Sequence, residues 1–270
     1  MHEPVFLLPL PPFWHMPIVA LGLKAAGVKL IEVGGWDVAF DYTRQDHLHR
    51  LRDLLAEQDV SVYSYHPLFG GRYDFSHIDK AQRAEAVRLN VEQLRAAESL
   101  GAKYVVIHPS DHIDEGEHAL RLSNSARGLR ELAIAAEDIG VGLAIENLPP
   151  EYLAADMDEL MLLVEGCESK RVGVCFDTGH ANLLHLPMDK CLQKIGDRLF
   201  TIHWHDNDGS SDQHWLPGAG GIDWAGFFAG LGELGWDRPI CLESGPPGDW
   251  SYTDFVAHVR DALAQQRPVL

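Results

Sequence analysis

Phe200–Trp224, FTIHWHDNDGSSDQHWLPGAGGIDW, crowds three histidines and four aspartates into one strand exit and the loop behind it. The lead-in Leu199-Phe200-Thr201-Ile202 is an apolar run of strand length, and His203 and His205, two residues apart, then share one side of that strand. Asp212 and His214 follow a Gly-Ser-Ser turn, and Trp224 begins a helical pattern. The stretch is one strand, loop and helix start. Its loop carries imidazole and carboxylate donors together, a mixture suited to a divalent ion of the zinc, manganese or iron type.

The same unit recurs on both sides. Upstream, strand-length apolar runs at Val5–Leu8, Val28–Val33, Val60–Tyr65, Lys103–Ile107, Val141–Ile145 and Val172–Phe176 alternate with helical patterns at His15–Ala26, His47–Glu57, Asp79–Leu100, Glu117–Ile139, Asp156–Glu165 and Pro187–Ile195. Downstream come a helix at Trp224–Leu234, a strand at Pro239–Leu242 and a helix at Thr253–Gln265. Gly27, Gly101 and Gly140 stand where helices stop. Strict alternation implies parallel strands joined by right-handed crossovers, and eight units in about 250 residues predict an α/β fold, a (β/α)8 TIM barrel in a single domain over residues 1–270. A doubly wound open sheet is the alternative, weakened because no GxGxxG follows the first strand.

Closure into a barrel turns scattered donors into a constellation. His66, His108, Glu146, Asp177 with His180, His205 and Glu243 fall at the C-terminal ends of predicted strands three to eight, the rim on which barrel active sites are built. Asp212 and His214 extend the set. One histidine after a strand is more often a hydrogen-bonded loop residue, and one acid often caps the next helix. Six consecutive strands ending in such residues are not what capping produces, so metal binding is expected. Glu32 ends the second strand and reads as a substrate contact or salt-bridge partner, and His203 as support behind His205. Asp111 and His112 read as loop and helix-start residues. His2, His47, His49, His77, His118, His185 and His258 have no partner in the pattern and read as surface.

Composition sets the outer limits. With 270 residues, 46% of them hydrophobic, the chain can bury a large core. No apolar run reaches the roughly 18 to 20 residues of a membrane span, and the N-terminal MHEPVFLLPLPPFW lacks a basic start and a small-residue cleavage site, which makes a cytoplasmic location the expectation. Cys167, Cys175, Cys191 and Cys241 show no CxxC spacing and read as reduced core residues. The net charge is −18 with no cluster of lysines and arginines. Such a chain repels phosphate backbones, so a nucleic-acid partner is disfavoured.

Together, YSYHPL, YVVIHPS, LAIENLP, VCFDTGHANL, IHWHDNDG, DQHWLPGAGGIDW and CLES resemble the xylose isomerase-like barrel superfamily, which sugar isomerases and epimerases share with the apurinic/apyrimidinic endonuclease family 2. The likeness runs in detail from the third strand onward and is carried by the combination rather than by any one piece. It implies a metal-dependent enzyme. Resemblance to the isomerase and epimerase branch implies one ion held by Glu146, Asp177, His205 and Glu243, with Glu146 and Glu243 shuttling protons through an enediolate and Glu32, His180 and His203 near the substrate. Resemblance to endonuclease IV implies three zinc ions held by His66, His108, Glu146, Asp177, His180, His205, Asp212, His214 and Glu243.

The chain departs from both patterns. Asn147-Leu148-Pro149-Pro150 replaces the endonuclease run after Glu146, and the loops offer only Arg44 and Arg72 as obvious duplex-gripping cations. Gly209-Ser210-Ser211 stands where the epimerase branch carries an arginine. The expectation is therefore a sugar isomerase or epimerase-like enzyme using one to three divalent ions, zinc, manganese or iron, on a small polyhydroxy carbonyl substrate. Multi-zinc phosphodiester hydrolysis at abasic sites and metal-dependent lyase chemistry are the alternatives. A homo-oligomer is compatible with all of them.

Overall fold

A computed structural model describes residues 2–9, 16–35, 41–114 and 116–270. In chain order the elements are β1 (Pro4–Pro9), α1 (Met16–Ala26), β2 (Leu30–Gly34), α2 (Gln45–Ala56), β3 (Ser61–His66), α3 (Lys80–Leu100), β4 (Tyr104–Ile107), α4 (His118–Ile139), β5 (Gly142–Glu146), α5 (Met157–Gly166), β6 (Val172–Asp177), α6 (Thr178–Leu183), α7 (Met188–Ile195), β7 (Leu199–Trp204), α8 (Trp224–Glu233), β8 (Ile240–Leu242) and α9 (Tyr252–Ala264). The strands form a closed barrel in sequential order, all parallel, and β1 closes on β8 through the pairs Val5–Cys241 and Phe6–Leu242. The expected (β/α)8 barrel is what the chain forms. No helix among the described residues is long and apolar enough to cross a membrane.

Local chemistry places the helix ends. Asp79 accepts hydrogen bonds from the backbone N–H groups of Ala81 and Gln82 ahead of α3, and Asp156 and Ser251 play the same part for α5 and α9. Each such cap is worth about 1 kcal/mol. Gly101 and Gly140 end α3 and α4 in the left-handed region at φ 80 and 97, where a side chain would be strained. The helices lay apolar stripes, such as Leu48, Leu51 and Leu55 of α2 or Leu129, Leu132 and Ala136 of α4, on the outside of the barrel, where they share one core with Ile31, Val33, Tyr65 and Trp204.

Inside the barrel the chemistry changes along the axis. Val5, Tyr63, Tyr104 and Cys241 fill one layer, with the two tyrosine rings edge to face at 5.5 Å, and Val106, Ala144 and Cys175 form a second cluster. Toward the strand C-termini the buried residues become Glu32, Ser64, Glu146, Asp177 and His203. A barrel interior is normally packed with branched apolar side chains. The polar layer marks where the site sits.

Several boundaries and burials differ from expectation. Helix α2 begins at Gln45 rather than His47. The six-residue α6, which carries His180, was not expected, because it is too short to show a 3.6-residue period. His15, the expected first residue of α1, lies outside the described residues. His2 is buried rather than exposed, its Nδ1 3.2 Å from the Arg238 carbonyl oxygen, because the chain pairs β1 with β8 immediately after it. His47 and His77 are half-buried, whereas His49, His118, His185 and His258 are exposed. All four cysteines are buried and unpaired.

Candidate active site

Strand geometry brings every one of the nine expected donors to one rim. His66, Glu146 and Asp177 are the last residues of β3, β5 and β6; His108, His205 and Glu243 immediately follow β4, β7 and β8. His180 sits in α6, which Asp177 starts by accepting from the His180 backbone N–H at 2.7 Å. Asp212 and His214 come from the β7–α8 loop. His214 holds φ at 50, a left-handed conformation rare for a non-glycine residue and concentrated at functional sites.

Glu146 is the hub. Its Oε2 is 3.1 Å from His108 Nε2 and 3.6 Å from His66 Nε2, while Oε1 is 3.3 Å from His203 Nδ1 and 3.4 Å from His180 Nδ1. Across the barrel, Glu243 Oε2 approaches His203 Nδ1 to 3.2 Å, off the direction in which that ring's N–H donates to Glu146. Asp177 embraces His205 Nε2 with both oxygens, at 2.9 and 3.0 Å. On the outer side Asp212 Oδ2 joins His180 Nε2 at 3.2 Å to His214 Nε2 at 3.0 Å.

Beneath this ring lies a fully buried floor. His203 Nε2 is 3.1 Å from Glu32 Oε1, and Ser64 donates its hydroxyl to Glu32 Oε2 at 2.6 Å. Glu32 and His203, expected near the substrate, are 0% exposed and absent from the cavity lining among the described residues. His203 touches the two glutamates from below instead, and Glu32 lies behind it. His180 does line the cavity.

The donor set fits divalent ions on three counts. His180, His214 and His66 each turn Nδ1 toward a main-chain carbonyl oxygen, that of Asn147 at 2.8 Å, Glu243 at 3.1 Å and Pro67 at 3.3 Å, and present Nε2 to the carboxylates. A main-chain carbonyl that accepts from Nδ1–H and so fixes the tautomer is the usual setting of a metal-binding imidazole. Secondly, Glu146 Oε2, Asp212 Oδ1, Glu243 Oε2 and His205 Nδ1 are buried without a hydrogen-bond partner, which is costly unless a cation satisfies them. Thirdly, the donor atoms of His66, His108 and Glu146, and separately those of His205, Asp212 and His214, lie within 4.8 Å of one another.

Electrostatics tie these groups together. Burial opposes charge on Asp212, but the hydrogen bonds from His180 and His214 overcome it and hold the carboxyl far below the usual range. Reciprocally, and against burial, Asp177 and Asp212 lift His180 to about 10, and Asp212 and Glu243 lift His214 to about 9. Burial likewise opposes ionisation of Glu243, and His203 prevails, drawing it down to about 2.

Three positioning residues escaped the sequence reasoning. Asn147 clamps two strand ends by donating to the Asp177 carbonyl at 2.9 Å and accepting the Asp177 N–H at 2.8 Å. Thr178 donates its hydroxyl to the His205 carbonyl at 2.7 Å. Asp206, fully buried, accepts from the N–H groups of Asn207, Gly218 and Ile222 and from the Trp224 indole, while its backbone pairs with Trp215 in both directions at 2.8 Å. The run of polar residues after His205 was the available signal, yet nothing local says which of them turns inward.

A cavity of about 720 Å³ opens over the ring. Leu7, Phe69, Leu148, Pro149 and Tyr152 line it together with His66, His108, Glu146, His180, Asp212, His214 and Glu243.

The family model described as a xylose isomerase-like TIM barrel matches residues 22–259. An uncharacterised protein of Methanocaldococcus jannaschii is 30% identical over 77% of this chain and 74% of its own length. The D-psicose 3-epimerase of Enterocloster bolteae is 24% identical over 82% of this chain and 74% of its own. A probable endonuclease 4 of Campylobacter fetus is 25% identical over 77% and 79% respectively. Among solved structures, the D-allulose 3-epimerase of a Methylomonas species superposes with a TM-score of 0.83 at 19% identity, covering 98% of each chain, a likeness of fold.

Proposed function

The chain belongs to the xylose isomerase-like TIM barrel family, and on that premise we propose that it is a divalent-metal-dependent isomerase or epimerase of a small polyhydroxy carbonyl compound. One observation carries this. Two carboxylates from separate walls of the barrel, Glu146 after β5 and Glu243 after β8, converge on His203 Nδ1 at 3.3 and 3.2 Å, and both also line the cavity. A site that only bound a ligand has no use for two opposed acids.

Glu146, Asp177, His205 and Glu243 are the residues that would hold the ion, which when bound polarises a carbonyl and its neighbouring hydroxyl. The remaining chemistry belongs to the chain. One glutamate takes the proton from the carbon next to the carbonyl, and the other returns a proton to the enediolate, so that no atom is gained or lost. Proton transfer of this kind contributes about 10²- to 10⁴-fold in rate. His203, charged and wedged between the glutamates and Glu32, sets their separation from below. The relatives named a D-psicose 3-epimerase and a D-allulose 3-epimerase support the assignment.

A second reading has its own observation. The groups His66–His108–Glu146 and His205–Asp212–His214 flank the central quartet, as a cluster of ions for phosphodiester hydrolysis would need, and one relative is named a probable endonuclease 4. The test is to incubate metal-loaded protein in heavy water with ketoses, with inosose-like cyclitols and with an abasic-site duplex. Deuterium at the carbon beside a carbonyl is the expected result. Cleavage of the duplex with no exchange into any carbonyl compound overturns the isomerase assignment in favour of the hydrolase. Bound metal near one ion per chain favours the former, and two or three the latter.

A further inference from the structure

The cavity wall has two chemistries. Strand order around the barrel follows the sequence, so the loops after β3 and β5 share one arc and those after β6, β7 and β8 share another. Beyond the donors His66, His108 and Glu146 at its strand ends, the first arc presents Phe69, Leu148, Pro149 and Tyr152, whereas the loops of the second add His180, Asp212, His214 and Ser244. Phe69 stacks on His108 with ring centroids 4.0 Å apart at 30°, yet it remains 50% exposed. A large ring left half in water inside a concave site is apolar surface waiting for a partner.

Two further facts narrow that partner. Neither lysine nor arginine lines the cavity among the described residues, and the sequence of residues 10–15 and 36–40 contains neither. A phosphate ester remote from the carboxylate ring is normally gripped by such a cation. Size is the second. At about 720 Å³ the cavity lies in the upper part of the roughly 300–1,000 Å³ range of pockets that take drug-sized ligands, more room than a bare hexose needs.

We infer that the substrate is an unphosphorylated polyhydroxy carbonyl compound bearing an apolar substituent the size of a ring. Its polar end meets Glu146 and Glu243, and its substituent packs on Phe69, Leu148, Pro149 and Tyr152. The polar end rests on the isomerase or epimerase assignment; the apolar subsite rests on the wall alone.

Titration calorimetry of the metal-loaded protein with D-glucose, D-glucose 6-phosphate and phenyl β-D-glucopyranoside tests this without turnover. The phenyl glucoside is expected to bind about tenfold or more tightly than glucose, the 6-phosphate no more tightly than glucose. Phe69→Ala and Tyr152→Leu should each remove most of the phenyl preference at unchanged metal content and circular dichroism. Equal binding of glucose and the phenyl glucoside, tightest binding of the 6-phosphate, or a preference that survives both substitutions overturns the inference. The two assignments fail separately. A phenyl preference in a protein that exchanges no carbonyl-adjacent proton refutes the isomerase but keeps the subsite, and exchange without the preference does the reverse.

Discussion

Filling the Asp212 side of the metal-free site with zinc at pH 7 is expected to expel about two protons from His180 and His214, whereas one ion in the central quartet is expected to expel neither. The carboxylates around them hold these rings at about 10 and about 9, so both are almost fully protonated at pH 7 before metal arrives. Two imidazoles of ordinary pKa 6.5 would each be about one-quarter protonated and would release about half a proton together. The difference of about 1.5 protons is read by calorimetry in buffers of different ionisation enthalpy, where the slope of apparent heat against that enthalpy is the proton number. The number also reports where the ions go. One ion on Glu146, Asp177, His205 and Glu243 leaves both rings charged, and the release grows only when the Asp212 side fills. It should shrink again as the titration is repeated above pH 10, where both rings start mostly neutral. Asp212→Asn, which removes the charge shared by both rings, should pull the release toward the half-proton figure. Two or three ions bound at pH 7 with a release near that figure in the unaltered protein would refute the premise that this network holds the histidines charged.

Other outcomes follow from the same geometry. Glu146→Gln and Glu243→Gln are each expected to lower proton exchange by about 10²- to 10⁴-fold at unchanged circular dichroism, and retained exchange on the true substrate would remove their acid–base roles. Gly179→Ala places a methyl group into the His205 ring, which is fully buried and cannot retreat, so metal affinity measured by competition with a chelator should fall while the barrel stays folded. Asp206→Ala leaves four donors without their carboxylate and should cost about 2 kcal/mol or more, seen as a lower urea midpoint. For the metal-free protein the sign with pH is set by raised histidines. Their contribution is complete below the unfolded value of 6.5 and disappears as pH climbs through about 9 and 10, so the urea midpoint should drop between pH 6.5 and 10. A flat profile over that interval would contradict it.

The barrel was legible because its signal is redundant: strand-length apolar runs, glycines at helix ends and strict alternation all point to the same topology. Once the strands were placed, their C-terminal ends were placed too, which is why nine donors scattered from His66 to Glu243 were found together. Depth was not legible. Glu32 was expected at the end of its strand, but β2 runs on to Gly34 and leaves Glu32 inside the barrel under the ring, whereas His205 follows β7; the register shift between Ile31 and Glu32 is invisible in sequence. Asn147 was visible only as a departure from a family pattern, although it ties β5 to β6 through both of its amide atoms. Phe69 lies in a loop without periodicity, so its stacking on His108 had no antecedent in the chain.

The Asp206 clamp divides the site into parts of unequal freedom. It pins the β7–α8 loop at Gly218, Ile222 and Trp224, and the paired backbones of Asp206 and Trp215 pinch the loop into a separate lobe. Asp208, Ser210 and Ser211 at the tip of that lobe are exposed, so changes of length there fall outside the knot. Asp212 and His214 therefore ride on a loop, whereas Glu146, Asp177 and Glu243 are built into the barrel itself. Insertions or deletions among the exposed tip residues can alter the outer pair without disturbing the strand ends that carry the inner carboxylates.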